Sequence, residues 1–181
     1  YCSRFSPKTI KGIFLKSNIG ESAAANVGFR ASRGEFIARM DADDISYPAR
    51  IQEQVEFMLK RNNVVVLGTQ ADVINEEGGI IGKKTFPLKH NDIYRLYGIY
   101  HPMLHPSCMF RRSLLPRKNK LWDATHEPND DYITLFRLLN YGKFANLPQT
   151  LVGYRLHGSN KSLQNARSKV LNSLRIRLDA V

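Results

Sequence analysis

The 181-residue chain has only two cysteines, Cys2 and Cys108, and neither belongs to a C-x-x-C pair. A disulfide scaffold and a cysteine-ligated zinc fold are therefore excluded. No apolar run approaches the ~18 residues that span a bilayer. The first ten residues are mixed polar and aromatic, with no signal-peptide pattern. Internal repeats and low-complexity tracts are also absent. No methionine opens the chain, and residues 1–6 carry no cap or turn logic, so the sequence reads as a piece that starts inside a domain. Hydrophobic residues make up 43% and charged residues 24%, an ordinary globular balance. A chain of this length buries about 70% of its unfolded surface and needs no covalent staple. What remains is a cytoplasmic enzyme or binding domain.

Positive charge is what the chain has in excess. Lys and Arg total 27 against 16 acids, a net +11. That favours a polyanionic neighbour: nucleic acid, anionic lipid or a phosphorylated ligand. Arg111, Arg112, Arg117, Lys118 and Lys120 form one acid-free run, and Arg167, Lys169, Arg175 and Arg177 form another. Each run by itself also fits a solvated face.

Hydrophobic patterning divides the chain into alternating elements. Residues 13–16 read as a buried strand, followed by turn chemistry at Ser17, Asn18 and Gly20. Residues 21–31 read as a helix with Ala24, Val27 and Ala31 inward. Gly34 reads as its left-handed stop. Its small residues Ala23, Ala24, Ala25 and Gly28 permit close approach to a sheet. Residues 35–40 read as a strand, and 41–44 as an acidic loop. A helix past Pro48 carries Ile51, Val55, Met58 and Leu59 as its apolar stripe. Residues 64–67 read as a buried strand. Val73-Ile74 and Ile80-Ile81 flank a hairpin turn. Residues 91–97 and 131–140 read as helices, the second ended by Gly142, and 107–110 and 151–156 as strands. Residues 163–178 read as an amphipathic basic helix. The early alternation argues for an α/β layer with parallel strands, and the hairpin for a sheet that becomes mixed.

Asp41 and Asp43 lie just past a predicted strand, where open α/β sheets bind ligands. Two carboxylates there suit Mg²⁺ or Mn²⁺ shared with substrate phosphates. They equally suit a capping-rich loop ahead of Pro48. A phosphatase-type D-x-D-x-[TV] motif fails at Ile45, and an EF-hand fails at Ser46 and Gln52. Glu127, Asp130 and Asp131 precede a helix, which they stabilise by roughly 0.3–1 kcal/mol. Crowded carboxylates also raise one another's pKa, which suits a general base. Arg137 follows nearly two turns later and either orients substrate or pairs locally. His105 and His157 flank predicted strands. His157 matters to a metal only if folding brings it to Asp43. Arg111 and Arg112 are surface charges or phosphate contacts.

The order of these pieces is more specific than any one of them. Asn18-x-Gly20, Ala24-Ala25-Asn26-x-Gly28, Ala31-x-x-Gly34-Glu35-Phe36-Ile37-Ala38-Arg39-Met40-Asp41-Ala42-Asp43-Asp44 and Pro48-x-Arg50-x-x-x-Gln54 follow one another. Gly68-Thr69, His105-Pro106-Ser107-x-Met109-Phe110-Arg111, Asp130-Asp131-Tyr132, Arg137, Asn146-Leu147-Pro148 and Tyr154-Arg155-x-His157 continue the series. From about Lys16 to His157 the chain resembles family 2 glycosyltransferases of the GT-A fold.

The resemblance implies a Rossmann-like GT-A three-layer sandwich with a mixed, mostly parallel central sheet, its N-terminal strands missing. Residues 1–160 would be a partial GT-A domain and 161–181 a C-terminal basic amphipathic helix. It implies inverting, metal-dependent transfer from a nucleotide-sugar, a UDP-sugar being the commonest donor, to a saccharide or lipid-linked acceptor. Polysaccharide or glycolipid synthesis would be the setting. Asn18, Gly20, Asn26, Arg39 and Asp41 would bind donor. Asp43, Asp41 and His157 would hold Mn²⁺ or Mg²⁺. Asp131 would be the base beside Asp130, and His105 and Arg137 would face the acceptor. The basic C-terminal helix would allow peripheral contact with anionic lipid on the cytoplasmic membrane face. Ala25 stands where the family has Arg, and Asp130 where it has Glu. Without the family's opening strand, helix and strand, a sheet edge is expected to lie exposed. Two other readings are a degenerate, non-catalytic relative and a basic nucleic-acid-binding domain. The second lacks zinc spacing, RNP aromatics and a basic helix-turn-helix.

Overall fold

A computed structural model describes residues 10–116, 120–123, 125, 129–158, 160 and 171. Apart from Leu171, which is exposed, the expected basic helix at 163–178 lies outside the described residues, as do Cys2, Arg117, Lys118 and Glu127. In chain order the elements are α1 (Glu21–Ala31), β1 (Phe36–Ala38), β2 (Ile45–Ser46), α2 (Arg50–Leu59), β3 (Val64–Ile74), β4 (Ile80–Lys84), α3 (His90–Tyr97), β5 (Met109–Arg111), α4 (Asp130–Leu138) and β6 (Lys143–Arg155).

The strands form one sheet in the order β1-β5-β3-β6-β2, with β4 paired to the end of β3. β3 and β6 pair in parallel over their whole length, and the other pairings are antiparallel. The sheet is thus mixed as expected. β1, β3 and β6 all run one way, but β5 inserts between β1 and β3, so parallel pairing is confined to β3 and β6. β1 ends the path and pairs only with β5 among the described residues.

β3 reads Val-Val-Val-Leu-Gly-Thr-Gln-Ala-Asp-Val-Ile and is buried nearly throughout, because helices cover both faces of the sheet. On one face Met58 of α2 packs on Val64, Leu67, Met109, Ala145, Leu147 and Leu151. On the other, Phe29 of α1, Tyr97 of α3 and Leu135 and Leu138 of α4 pack on Val66, Phe110 and Phe144. This is the three-layer arrangement. Gly68 keeps β3 and β6 in close register: a Cβ there would stand 2.1 Å from Asn146 Oδ1. The expected hairpin joins β3 to β4, with Gly78 at φ 91° and the Gly79 N–H held by Asn75 Oδ1 at 2.6 Å.

Several local expectations are corrected. Residues 13–16 are not a strand; Phe14 is 96% exposed. The run is apolar enough for a core, but no described strand lies beside it to take its backbone hydrogen bonds. α1 buries Ser22, Asn26 and Phe29, whereas Ala24 and Gly28 are exposed. The i, i+4, i+7 face therefore carries two polar residues, each with a distant partner. The helix stops at Ser32 in extended geometry, and Gly34 has no positive φ. α2 turns Arg50, Gln54 and Met58 inward and leaves Ile51 and Leu59 exposed. Arg50 and Gln54 face inward because they hydrogen-bond Arg39 O, Leu67 O and Ser107 O. α4 ends before Gly142, whose role is close packing: a Cβ there would lie 2.8 Å from Asn63 O.

Candidate active site

The acidic loop lies between β1 and β2. Two buried hydrogen-bonding side chains of α2 fix its position. Arg50, 1% exposed, donates from Nη2 to Arg39 O at 2.7 Å and from Nε to Gln54 Oε1 at 3.1 Å. Its Nη1 lies 3.0 Å from Met40 Sδ. Gln54 Nε2 donates to Leu67 O and Ser107 O, both at 2.9 Å. The two residues directly ahead of Asp41 are therefore anchored to β3 and to the loop before β5. The Pro48-x-Arg50-x-x-x-Gln54 spacing marks this anchor, because i and i+4 share a helix face.

Within the loop, Arg39 Nη2 bridges Asp41 Oδ1 at 2.9 Å and Glu21 Oε1 at 3.0 Å. Burial pushes the Asp41 carboxyl above its usual range, against the pull of Arg39. Asp44 accepts the Arg155 backbone N–H at 2.8 Å, and burial raises its pKa to about 6. Asp43 is more open and meets His157 Nε2 at 3.0 Å. The β2–β6 pairing brings these together, with Ile45 opposite Gly153 and Ser46 opposite Val152. Continued in that antiparallel register, the end of β6 runs beside Asp43 and Asp44. Asn160 Oδ1 then accepts the His157 N–H at 2.5 Å, and Arg155 Nε donates to Asp43 O at 2.7 Å. The condition set for His157, arrival at Asp43, is met.

Among the described residues no three His, Cys, Asp or Glu side chains form a ready-made metal cage. Mg²⁺ and Mn²⁺ sites need not have one, since one or two carboxylates suffice when substrate phosphates complete the shell. A half-exposed carboxylate touching an imidazole fits that chemistry. Asp43 and His157 are the adjacent candidate pair, with Asp41 nearby but held by Arg39.

The second group of acids opens α4. Asp130 is buried, and its Oδ2 accepts from Ser22 Oγ at 2.5 Å. Burial raises its pKa, the Ser22 hydroxyl lowers it, and Asp131 and Glu21 push it up again. Asp131 is partly open, and its Oδ1 accepts the Tyr132 N–H at 2.7 Å. The first turn of α1 joins the two acidic groups: Glu21 pairs with Arg39, which also holds Asp41, while its neighbour Ser22 donates to Asp130. Gly20, at φ 84°, makes the turn into that helix, and Asn18 Oδ1 accepts the Gly20 N–H at 2.9 Å. A positive φ of this size favours glycine.

Other candidate residues do different work. Asn26 is buried and grips residues 121–122: Oδ1 accepts the Leu121 and Trp122 N–H groups at 2.6 and 3.0 Å, and Nδ2 donates to Trp122 O at 2.7 Å. His105 is buried, and its Nε2 accepts the Trp122 indole N–H at 3.0 Å. Arg137 pairs with Asp123 at 2.9 Å, and Thr125 also holds that carboxylate; together they keep Asp123 well below the usual carboxylate range. Arg111 is neither surface charge nor phosphate contact. It is buried and donates to Met58 O, to Arg61 O at 3.1 Å and to Val64 O at 3.2 Å, tying the end of α2 to the sheet. Arg112 likewise donates to Gly34 O at 2.7 Å.

Trp122, the chain's only tryptophan, went unremarked in the sequence. Its ring stands 5.8 Å from the Arg39 guanidinium, and it links Asn26, His105 and Arg39 in one buried cluster. An isolated Trp between basic and polar residues gave no periodic signal that would have marked it.

Comparison with known proteins identifies the family and the fold. The model of glycosyl transferase family 2 matches residues 1–117. An uncharacterized glycosyltransferase of Haemophilus influenzae is 35% identical over 86% of this chain and 50% of its own length. The O-antigen biosynthesis glycosyltransferase WbnJ of Escherichia coli is 32% identical over 80% of this chain and 56% of its own. The amylovoran biosynthesis glycosyltransferase AmsE of Erwinia amylovora is 32% identical over 78% of this chain and 52% of its own. The chain thus spans about half the length of these curated relatives. Among solved structures, S. aureus TarS (residues 1–349) in complex with UDP-GlcNAc superposes with TM-score 0.59 over 81% of this chain and 42% of that one, at 18% identity. The mixed α/β fold is therefore of the GT-A kind, and the chain belongs to glycosyl transferase family 2.

Proposed function

We propose that this chain forms the catalytic side of an inverting, metal-dependent glycosyltransferase. It would move a sugar from a nucleotide-diphosphate donor to a hydroxyl acceptor in polysaccharide or glycolipid synthesis. The observation that carries this reading is the continuity of the two acidic groups through α1. Asp41, Arg39 and Glu21 form one contact chain, and Ser22 and Asp130 form the next, so cation-binding and proton-accepting carboxylates border one locality. WbnJ and AmsE, named for O-antigen and amylovoran biosynthesis, support the setting. The UDP-GlcNAc complex of TarS supports a UDP-sugar donor.

Asp43 and His157 would hold Mn²⁺ or Mg²⁺, with Asp41 at the ribose or at the metal. The metal, when bound, neutralises charge on the departing diphosphate. Arg39 keeps Asp41 oriented, and the Asn18–Gly20 turn, closed by its own Asn18–Gly20 hydrogen bond, sets the start of α1 against the donor. Asp131 takes the proton of the acceptor hydroxyl, whose oxygen attacks the anomeric carbon on the face opposite the leaving diphosphate. Asp130, locked on Ser22, stands beside Asp131, and its own pKa is raised by burial and by the Asp131 charge. Asn26, His105 and Arg137 would act on donor and acceptor through the segment around Trp122 that they brace. Residues 161–181 would rest on anionic lipid at the cytoplasmic membrane face. Among the described residues no helix is long and apolar enough to cross a membrane.

Calorimetric titration of the chain with UDP tests the core of this reading. Binding that requires Mn²⁺ and is lost in Asp43→Ala is expected. Metal-independent UDP binding, or preference for random DNA with a steep salt dependence, would refute it.

A further inference from the structure

His101 belongs to none of the roles assigned above, yet it lies against the proposed base. Its Nε2 is 3.9 Å from Asp131 Oδ2. Its ring stands 5.8 Å from the Tyr97 ring and 5.7 Å from the Tyr132 ring, packed between the end of α3 and the first turn of α4. That slot is rigid. Tyr97 is fully buried against Phe136 and Phe144, and the Tyr132 hydroxyl donates to Tyr97 O. The imidazole therefore has little freedom to leave the carboxylate. Among the described residues, the titratable groups set against it are Asp131 and Tyr132 from α4 and Tyr97 from α3, with Cys108 behind Tyr97.

The two oxygens of Asp131 are approached from different sides. Oδ1 takes the Tyr132 N–H at 2.7 Å, and Oδ2 faces the imidazole. At 3.9 Å the second contact is an ion-pair distance and is too long for a hydrogen bond. Catalytic contacts are often long in a substrate-free site and tighten when substrate arrives. A ring nitrogen there turns the carboxylate so that one lone pair faces the acceptor. We infer that His101 is a positioning residue for Asp131, holding the base in the orientation that receives the acceptor proton. The inference rests on the reading of Asp131 as the base.

Two arms test it. In the first, the His101 ring is titrated by NMR in the chain and in Asp131→Asn. Its pKa is expected to fall by roughly 0.2–0.7 units when the carboxylate is removed; no change overturns the inference. In the second, turnover of the complete protein is compared with His101→Phe, His101→Gln and Asp131→Asn. Phe keeps the ring between the tyrosines but has no N–H, so it separates packing from orientation. His101→Phe is expected to melt like wild type, to lose roughly 10- to 100-fold in kcat and to keep its KM for donor. Gln, which restores an N–H, is expected to recover part of the loss. Wild-type kcat in His101→Phe, or an equal loss in Phe and Gln, overturns the inference. An inactive Asp131→Asn with an unshifted His101 pKa defeats this inference alone. A shifted pKa with an active Asp131→Asn defeats the reading of the base, and the inference with it.

Discussion

The two acidic groups of the site are built in opposite ways. Around Asp41–Asp44 the partners come from basic residues: the Arg39 guanidinium meets the Asp41 carboxylate, the His157 imidazole meets Asp43, and Arg155 donates to the Asp43 carbonyl. At the start of α4 the partners are a serine hydroxyl and a backbone N–H, with an imidazole at the margin. Burial raises Asp41, Asp44 and Asp130 alike, and what differs is the partner that opposes the rise: a permanent cation at Asp41 and a hydroxyl at Asp130. In the proposed reading the loop holds metal and phosphate charge, and the helix start takes a proton. In that reading the same residue type would serve two chemistries because of what surrounds it.

The largest effect should come from exchanging those roles. Asp131→Asn should lower kcat by about 10²- to 10⁴-fold and leave Mn²⁺-dependent UDP binding intact. Asp43→Ala should do the reverse in the binding assay. Loss of UDP binding in both variants would erase the distinction between the groups.

Next comes the anchor beneath the loop. Arg50→Ala leaves Arg39 O, Gln54 Oε1 and a cavity without partners, and should cost about 2–4 kcal/mol in urea unfolding. Ile51→Ala, one residue away but half-exposed, should cost far less. Equal costs would mean that the aliphatic stripe, and not the buried arginine, holds α2.

Gly68→Ala should destabilise by about 1–3 kcal/mol through overpacking against Asn146. Gly28→Ala, with nothing near its Cβ, should be neutral or stabilising. Thermal melts of the two variants decide this.

A further effect is in pH. The Asp44 carboxyl is raised by burial from 3.8 to about 6, so the folded state holds its proton more tightly than the unfolded chain. Its contribution to stability is complete below about pH 4 and is lost as pH rises through about 6. Asp44→Asn, melted in chelator, should match wild type near pH 4 and exceed its Tm above about pH 6. A higher Tm at both ends would show that charge is not the cause.

Legibility followed sequence distance. The β3–β4 hairpin and α4 were readable because turn residues and apolar period are local signals. Residues 13–16 misled because an apolar run shows the wish for burial but not whether a partner strand exists. The inward face of α1 misled because Ser22 and Asn26 look solvent-facing until Asp130 and Trp122 are known to meet them, 108 and 96 residues away. Arg111 read as surface charge or phosphate contact because nothing local reveals that the carbonyls at the end of α2 lie above it.

By itself the amino-acid order determined the chemistry available: two carboxylates past a strand end, a second pair opening a helix, and a family pattern that links them. Those are short-range facts, settled by spacing and backbone propensity. Only the tertiary structure decided the pairing of Asp43 with His157, Asp130 with Ser22 and Asp131 with His101. Such contacts depend on strand order and register. These emerge from burial of the whole sheet between its helices, and no local stretch encodes them.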